Sequence, residues 1–475
     1  MKLIYDFEKE IQVERFQPIE SKSMANSDIE EICTDNLIKF RRIFKKNRTP
    51  LRVSFRDLTF WLKSNDIYTH RIHSYPGKIL PQIVEFFINA SYLDEKVILD
   101  PFCGSGTIAL QASLKGFQTY TADVNPFAQL LTYTKTYPFC PDKLKSDLKL
   151  ILDEYGNVKD FPSINIINAE IWYSSKRKEE LEKLINCIRL TVSKENVNFF
   201  LICFSSLAKS FSFADPAISV PVRLKVKSNL SYNHNTNILK RLSWIEDSNI
   251  LEEFKKIVYS NIHRVTSTNL ILPTRLANIS VGDDAKSLVN PKKENERLPN
   301  GKIPLIITSP PYGSAQKYIR ASSLSLNWLE LADPKSLRIL DKQSIGSENL
   351  NKSKIDFKNH FIPPYFQNLL LELSKINYKR ALITYKYFLD LRESMQEMSR
   401  VLCKNGQLVI IIGNNNVCGS LVRNDLYLIE ICKEFGLNLN LFLLDSIKSR
   451  GLLTRRHSTA SIIADESILV FEKEI

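Results

Sequence analysis

The chain has 475 residues, of which 44% are hydrophobic and 25% charged, and this length predicts two domains or one domain with a large insertion. Its net charge of +13 favours a polyanionic partner, because lysine and arginine side chains that neutralise phosphates release counterions. The eight cysteines without a CxxC pair argue against a metal site or a disulfide framework, and the lack of a long apolar run or secretory leader favours a cytoplasmic protein without a membrane segment.

The N-terminal segment, residues 1–66, is predicted to be a basic arm or subdomain. An α/β pattern then defines the first part of a larger domain, at 67–135. Its elements follow in order: a short buried strand at 97–99, a helix at 107–114, a second strand at 117–122 and a helix that begins at Pro126.

Residues 136–277 interrupt this alternation and are predicted to form a mostly helical insertion. One amphipathic helix is indicated by four apolar residues at helical spacing, namely Leu181, Leu184, Ile185 and Ile188. The stretch 196–241 holds six basic residues against the single acid Asp215, and its interleaved phenylalanines are expected to pack in a core.

The second part of the α/β domain is expected at 278–475. Its predicted elements are strands at 278–281 and 305–308, a long helix that reaches Leu402, a strand at 407–412, a helix at 424–435 and strands at 438–444 and 466–472, the last two joined by a loop with Arg450, Arg455, Arg456 and His457. Alternating strands and helices of this kind imply a mostly parallel sheet that is covered on both faces.

A glycine-rich turn, Asp100-Pro-Phe-Cys-Gly-Ser-Gly-Thr107, follows the first buried strand and opens a helix. Gly104 and Gly106 let the backbone pass close to a ligand, but the turn lacks the Walker lysine and the GxGxxG spacing. Asp100 suits an ammonium group and hydroxyls, and Asp123, at the end of the next strand, suits ribose hydroxyls. S-adenosylmethionine fits these demands better than a dinucleotide does.

Two further acids follow the strand at 278–281. Either Asp283 or Asp284 could accept the adenine amino group of this cofactor, with the other capping a helix, and we favour Asp284.

A short, stiff turn, Ser309-Pro-Pro-Tyr312, follows the strand at 305–308. The prolines remove backbone donors, so the Ser309 hydroxyl and the Pro310 carbonyl could accept both hydrogens of an exocyclic amine. Tyr312 offers a ring that could stack on the base. Such a nitrogen cannot be reached inside a duplex, so the base would have to be flipped out.

These residues resemble the amino-methyltransferases of DNA, which use S-adenosylmethionine to modify adenine N6 or cytosine N4. The segment 73–81 resembles the family's segment at the methionine end of the cofactor, although Ile79 stands where the family often has an aromatic residue. The segments 100–107 and 123–128 resemble its cofactor motifs, 309–312 its catalytic tetrapeptide, and 400–413 a helix-turn-strand of its fold.

The resemblance implies a Rossmann-like class I methyltransferase fold, with a mostly parallel seven-stranded sheet, helices on both faces and a large, mostly helical insertion. It implies a catalytic role for Ser309, Pro310, Pro311 and Tyr312. It implies cofactor contacts from Tyr75, Lys78, Pro81, Asp100, Pro101, Phe102, Gly104, Gly106, Thr107, Asp123 and Asn125, to which we add Asp284. The insertion would recognise double-stranded DNA, with Ser212, Arg223, Lys225 and Lys227 as candidate contacts.

Serine at the head of the tetrapeptide is, by this resemblance, the form associated with cytosine N4. The sequence therefore favours a site-specific DNA methyltransferase that forms N4-methylcytosine, with a cognate restriction endonuclease as partner. Three alternatives remain: adenine-N6 methylation of DNA, guanine-N2 methylation of RNA, and a non-catalytic DNA-binding subunit that retains the fold.

Overall fold

The computed structural model describes residues 10–12, 25–62, 68–91, 93, 95–313, 317–350, 355–446 and 465–474. The basic loop predicted around Arg450 and His457 lies outside these residues. The strands, in chain order, are β1 (Ile11–Gln12), β2 (Leu51–Val53), β3 (Val97–Asp100), β4 (Gln118–Thr121), β5 (Ile279–Ser280), β6 (Val289–Asn290), β7 (Lys293–Arg297), β8 (Ile303–Thr308), β9 (Leu402–Ile412), β10 (Asn415–Val417), β11 (Ser420–Val422), β12 (Leu437–Ser446) and β13 (Asp465–Lys473).

A 3-10 helix lies at Thr69–Arg71, before the helix that begins at Pro81. The helices are α1 (Asn26–Asn47), α2 (Phe55–Leu58), α3 (Pro81–Ala90), α4 (Thr107–Leu114), α5 (Pro126–Thr136), α6 (Pro141–Glu154), α7 (Ala169–Trp172), α8 (Ser175–Thr191), α9 (Val197–Ser210), α10 (Tyr232–Asp247), α11 (Ile250–Ile271), α12 (Tyr318–Ala321), α13 (Ser323–Trp328), α14 (Leu337–Gln343), α15 (Pro364–Ile376), α16 (Tyr378–Val401) and α17 (Asn424–Glu434). Among the described residues, no helix is long and apolar enough to cross a membrane.

Nine strands form one sheet in the order β1-β2-β12-β13-β9-β8-β3-β4-β5. All neighbours pair in parallel except β13, which runs antiparallel to both β9 and β12. The α/β class and the mostly parallel sheet of the Rossmann-like methyltransferase fold are confirmed. Seven strands, from β5 to β12, match the expected number, and β1 and β2 from the N-terminal segment extend the sheet by two.

The described part of the N-terminal segment shares the core of the sheet rather than forming a core of its own. Helix α1 contacts α3 and β12, and β2 pairs with β12. Its apolar face repeats at helical spacing, with Cys33, Leu37, Phe40 and Phe44 all buried. Burial of this stripe against the sheet explains why these residues do not stand apart as an arm.

The insertion is helical, and a second apolar cluster holds it together. The predicted amphipathic helix is α8, whose four apolar residues are all fully buried, and the phenylalanines of α9 pack beside it. The same cluster includes Tyr75 and Phe127, so the insertion packs directly on the segment before α3 and on α5. This contact brings part of the insertion to the edge of the sheet where the strands end.

Strand β9 differs from its prediction at its start. It begins at Leu402, and the expected turn around Asn405, where φ is +60°, is a bulge within the strand. The register against β8 shifts between Ile303 and Leu305, which accommodates the extra residues.

Candidate active site

The candidate site lies at the carboxyl-terminal edge of the parallel strands, where the strand order changes direction. From β3 the chain moves outward to β4 and β5, and it later returns to β8 on the opposite side of β3. A crevice forms at such a switch point in open α/β sheets. A cavity of about 680 Å³ opens here, and the residues expected from the sequence that line it are Tyr75, Pro101, Phe102, Gly104, Asp123, Asn125, Asp283, Asp284, Ser309 and Pro311.

The glycine turn has the tight geometry that its sequence suggests. Gly106 has φ +72°, and a Cβ there would lie 2.7 Å from the Thr132 hydroxyl, so only glycine lets α4 pack this closely on α5. Gly104, with φ +46°, lines the cavity and donates its N–H to Asp123 at 2.9 Å. The buried Lys135 donates to the Ser105 carbonyl and supports the turn from behind.

Asp100 ends β3 and is buried beneath this turn. Its Oδ1 accepts hydrogen bonds from the Phe102 N–H at 3.2 Å and from the Thr308 hydroxyl at 2.8 Å. Its Oδ2 is buried and has no partner among the described residues. Burial raises the pKa of Asp100 to about 7, against the Thr308 and Phe102 hydrogen bonds, which favour the charged form.

Asp123 follows β4 and is half-buried at the cavity wall. Its two oxygens accept from the backbone N–H groups of Gly104 and Asn125, each at 2.9 Å, and burial raises its pKa to about 6. Asn125 caps α5 and donates to the hydroxyls of Tyr75 and Ser322, both at 3.1 Å. A carboxylate held this rigidly keeps lone pairs free to accept hydroxyl groups.

The turn Ser309–Tyr312, predicted to be the catalytic turn, and the glycine turn contribute residues to one cavity. The bond between Thr308 and Asp100 joins the ends of β8 and β3, directly before Ser309 and Pro101. Ser309 and Pro311 line the cavity, whereas Pro310 is buried and Tyr312, which is partly exposed, is not among the lining residues.

The carbonyl oxygens of Pro310 and Pro311 differ in their hydrogen-bond partners. Pro311 accepts from the Tyr387 hydroxyl at 2.9 Å and from Gly313 N–H at 3.2 Å. No described donor bonds to the Pro310 carbonyl, so it keeps the free acceptor that its sequence suggests.

The segment before α3 contributes Tyr75 but not Lys78 or Pro81 to the cavity wall. Lys78 turns back to the carbonyls of His70 and His73, at 2.9 and 3.4 Å, and desolvation of its ammonium, with the charges of Arg71 and Arg264, lowers its pKa to about 8. Pro81 is the first residue of α3, and Thr107 bonds to Ser105 at the start of α4. These residues and Gly106 do not line the cavity, and a direct cofactor contact from them stays a prediction.

Asp283 and Asp284 both line the cavity, and they differ in their hydrogen-bond partners. Asp284 accepts the N–H of Lys286 at 2.9 Å and lies 3.9 Å from the Lys286 ammonium. Asp283 is exposed and bonds to no other described residue. Both carboxylates are exposed and can still accept a hydrogen bond, so the assignment of Asp284 to the adenine amine stays a prediction.

Of the four predicted DNA contacts, Ser212 needs correction. It is fully buried, donates to the Lys209 carbonyl at 2.7 Å and accepts from the Ala214 N–H, so it has no surface for a DNA contact. Arg223, Lys225 and Lys227 are exposed but do not line the cavity, and their role stays a prediction.

The structure adds cavity residues that the sequence did not single out. Asn168 and Trp172 come from the insertion, where no local pattern marked them. Three exposed cations, Arg320, Arg338 and Lys379, also line the cavity and bond to no other described side chain. These three cations follow the turn Ser309–Tyr312 in the sequence, and their positive charge is the feature from which they could have been predicted.

The residues of this site fit S-adenosylmethionine. The unpartnered Oδ2 of Asp100 and the carboxylates of Asp123 and Asp283 can accept from an ammonium, hydroxyls and an adenine amine. Gly104 leaves the backbone open to close approach. Together they supply the acceptors that an adenosine-bearing amino acid requires.

The sheet order and the cavity at its switch point define the class I methyltransferase fold. Residues 69–150 match the family model described as "RMKL-like, methyltransferase domain". The chain is 27% identical to type II methyltransferase M.MvaI of Kocuria varians over 78% of this chain and 82% of that protein.

Two further relatives carry the same type of name. Type II methyltransferase M.MjaII of Methanocaldococcus jannaschii is 31% identical over 37% of this chain and 32% of its own length. Type II methyltransferase M.AvaI of Nostoc is 22% identical over 92% of each chain. The chain is similar over most of its length to type II methyltransferases, and these matches identify it as an enzyme of the type II DNA methyltransferase kind.

Proposed function

We propose that this chain transfers a methyl group from S-adenosylmethionine to the N4 amine of a flipped cytosine in duplex DNA. We also propose that it acts as the modification enzyme of a restriction–modification pair. The observation that supports this proposal most directly is the 2.8 Å hydrogen bond between Thr308 and Asp100, which holds Ser309 beside the glycine turn in one cavity. Alignment of donor and acceptor supplies much of the acceleration in such a reaction.

The cofactor, when bound, supplies a methyl group on a positively charged sulfur that keeps the bonding electron pair. Asp123 would accept the ribose hydroxyls, and Asp100 would offer its free oxygen toward the amino-acid end. Asp283 or Asp284 would accept the adenine amine, since both carboxylates are exposed at the cavity. The burial of Asp100 and the two backbone hydrogen bonds to Asp123 keep these two carboxylates rigid before the ligand arrives.

The target amine would donate its two hydrogens to the Ser309 hydroxyl and the Pro310 carbonyl. This leaves the nitrogen lone pair directed at the methyl group. Pro310 is suited to this role because its carbonyl has no described partner, whereas that of Pro311 is held by Tyr387. Tyr312 would present its ring to the base.

The free cations at the cavity would bind the phosphates that flank the flipped nucleotide. Glu348 at the same wall pairs with Arg380 at 2.6 Å and with Lys317 at 3.3 Å. Arg320, Arg338 and Lys379 form no ion pair among the described residues, so their positive charges are available to phosphates. Arg223, Lys225 and Lys227, on the insertion, would add contacts further along the duplex.

The chemistry is tested with purified protein, methyl-labelled S-adenosylmethionine, duplex DNA and tRNA, followed by digestion to nucleosides and mass spectrometry. N4-methylcytosine from the duplex supports the proposal. Label only in N6-methyladenine would move the target base to adenine, and label only in tRNA guanine would move the substrate class to RNA. No transfer to any substrate would contradict the enzyme assignment.

The role of the cations in phosphate binding is tested by changing all three together to glutamine. We expect weaker DNA binding and a salt dependence reduced by about 0.9 in log–log slope for each phosphate that the variant no longer neutralises. The control changes three exposed lysines outside the cavity whose side chains bond to no other described residue, namely Lys149, Lys194 and Lys404. An equal reduction of slope in both triple variants would contradict the assignment.

A further inference from the structure

A chain of hydroxyl groups leads from the catalytic turn to a carboxylate on another strand. Ser309 Oγ donates to Tyr312 Oη at 3.4 Å, and Tyr312 Oη donates to Glu466 Oε1 at 3.0 Å. Glu466 lies at the start of β13, two strands away from β8 in the sheet. The proposed function uses the first two residues of this chain and leaves Glu466 without a role.

Glu466 is a carboxylate without an ion pair among the described residues. Tyr312 is its described hydrogen-bond donor, Asp445 faces it in register on β12, and Arg56 from α2 is the nearby cation. Burial and the charge of Asp445 raise its pKa to about 7, against the Tyr312 hydrogen bond and Arg56.

The neighbouring acid on the same strand behaves in the opposite way. Asp465 pairs with Arg52 at 2.7 Å, and this arginine lowers its pKa. A carboxylate whose pKa stays near neutrality can take up a proton and return it at physiological pH.

Resting on the proposed function, we propose that Glu466 accepts, through Tyr312 and Ser309, the proton that the exocyclic amine loses on methylation. The amine nitrogen forms its bond to the methyl carbon with its lone pair and then carries one proton too many. Its N–H bond breaks, and the electron pair of that bond returns to nitrogen. The proton passes to Ser309 Oγ, the serine proton to Tyr312 Oη, and the tyrosine proton to Glu466 Oε1, which becomes a neutral carboxyl and later releases the proton to water.

A purely structural role for Glu466 would be to hold the Tyr312 ring in place. Glu466→Gln separates the two roles, because its amide oxygen can still accept the tyrosine hydroxyl but cannot take up a proton. Tyr312→Phe keeps the ring and removes the relay. The matched control is Glu472→Gln on the same strand, where Glu472 accepts from Asn440 at 2.9 Å, away from the catalytic turn.

The readout is the pH profile of the single-turnover methylation rate at saturating S-adenosylmethionine and duplex DNA, so that protonation of Asp100 and Asp123 does not limit the rate through binding, together with cofactor and DNA affinity measured separately. The wild-type rate should fall below about pH 7 as Glu466 becomes protonated. Glu466→Gln and Tyr312→Phe should each lose about 10²-fold in rate and lose this acidic limb, with both affinities unchanged. The double variant should lose no more than either single variant, because one relay is broken in each.

A Glu466→Gln rate within twofold of wild type, or an acidic limb that survives in both variants, would overturn the relay while the wild-type enzyme still methylates cytosine. If Glu466→Gln fails to bind S-adenosylmethionine and so reports misfolding, the Tyr312→Phe profile decides in the same way. Absence of wild-type N4-methylcytosine would instead contradict the proposed function. Glu472→Gln should retain the wild-type profile throughout.

Discussion

Thr308→Val tests the hydrogen bond that joins the two halves of the site. Thr308 is completely buried and donates to Asp100 at 2.8 Å, and valine keeps its shape while removing the hydroxyl. Hydrogen bonds to charged groups contribute about 1.5–3 kcal/mol and neutral ones about 0.5–1.5 kcal/mol. With the pKa of Asp100 at about 7, the decrease in stability should be near the larger figure in mildly alkaline buffer and near the smaller one in acid.

The change should also weaken cofactor binding. The Thr308 hydrogen bond lowers the pKa of Asp100, so its removal raises that pKa further and leaves less of the charged form at neutral pH. The assay is the urea midpoint at about pH 8 and about pH 5.5, with calorimetric titration of S-adenosylmethionine at both.

Thr119→Val is the matched control for this variant. Thr119 lies on the adjacent strand β4 and is buried, but its hydroxyl has no partner among the described residues. Its removal should leave stability unchanged or raise it, because no hydrogen bond is broken. Equal decreases in the two variants, or a Thr308→Val decrease that does not depend on pH, would refute the role given to the Thr308–Asp100 bond.

Three further outcomes are expected. Asp123→Asn should weaken S-adenosylmethionine binding by about 10-fold or more, with DNA affinity retained, in calorimetry and a gel-shift titration; a wild-type affinity would contradict its assignment. Gly106→Ala should lower the thermal unfolding temperature, because its Cβ would lie 2.7 Å from the Thr132 hydroxyl. Gly116→Ala should lower it less, because the added Cβ would lie 3.9 Å from its nearest neighbour, Leu272, and causes only backbone strain. Cofactor affinity should fall as pH decreases through about 7 and then about 6, where Asp100 and Asp123 become protonated, and a pH-independent affinity would oppose their assignment.

Local patterns predicted most of the sheet and its helices. The glycine turn and the apolar run before it indicated α4 with the bounds that the structure has, Thr107–Leu114, and proline marked the start of α5. Both signals act within a few residues of the chain, which is why they can be identified without knowledge of the fold. The strands β1 and β2 could not be found this way because they are two and three residues long, and β2 depends on pairing with β12 and β1 on pairing with β2.

The site was predicted where its residues follow strand ends and missed where it depends on distant packing. Ser309 and Asp123 lie in turns whose position is set by the neighbouring strand. The buried state of Ser212 depends on packing that the spacing of residues along the chain does not reveal. Glu466 meets Tyr312 across 154 positions of sequence, and only the sheet order brings the two together.

The most direct test of the central claim is nucleoside mass spectrometry of DNA from cells that express the wild-type chain or its Ser309→Ala variant. If Ser309 and the glycine turn form one active site, DNA from cells with the wild-type chain contains N4-methylcytosine and DNA from cells with the Ser309→Ala variant contains none. The purified variant should retain its affinity for S-adenosylmethionine. N6-methyladenine alone, or N4-methylcytosine undiminished in the Ser309→Ala DNA, would contradict it.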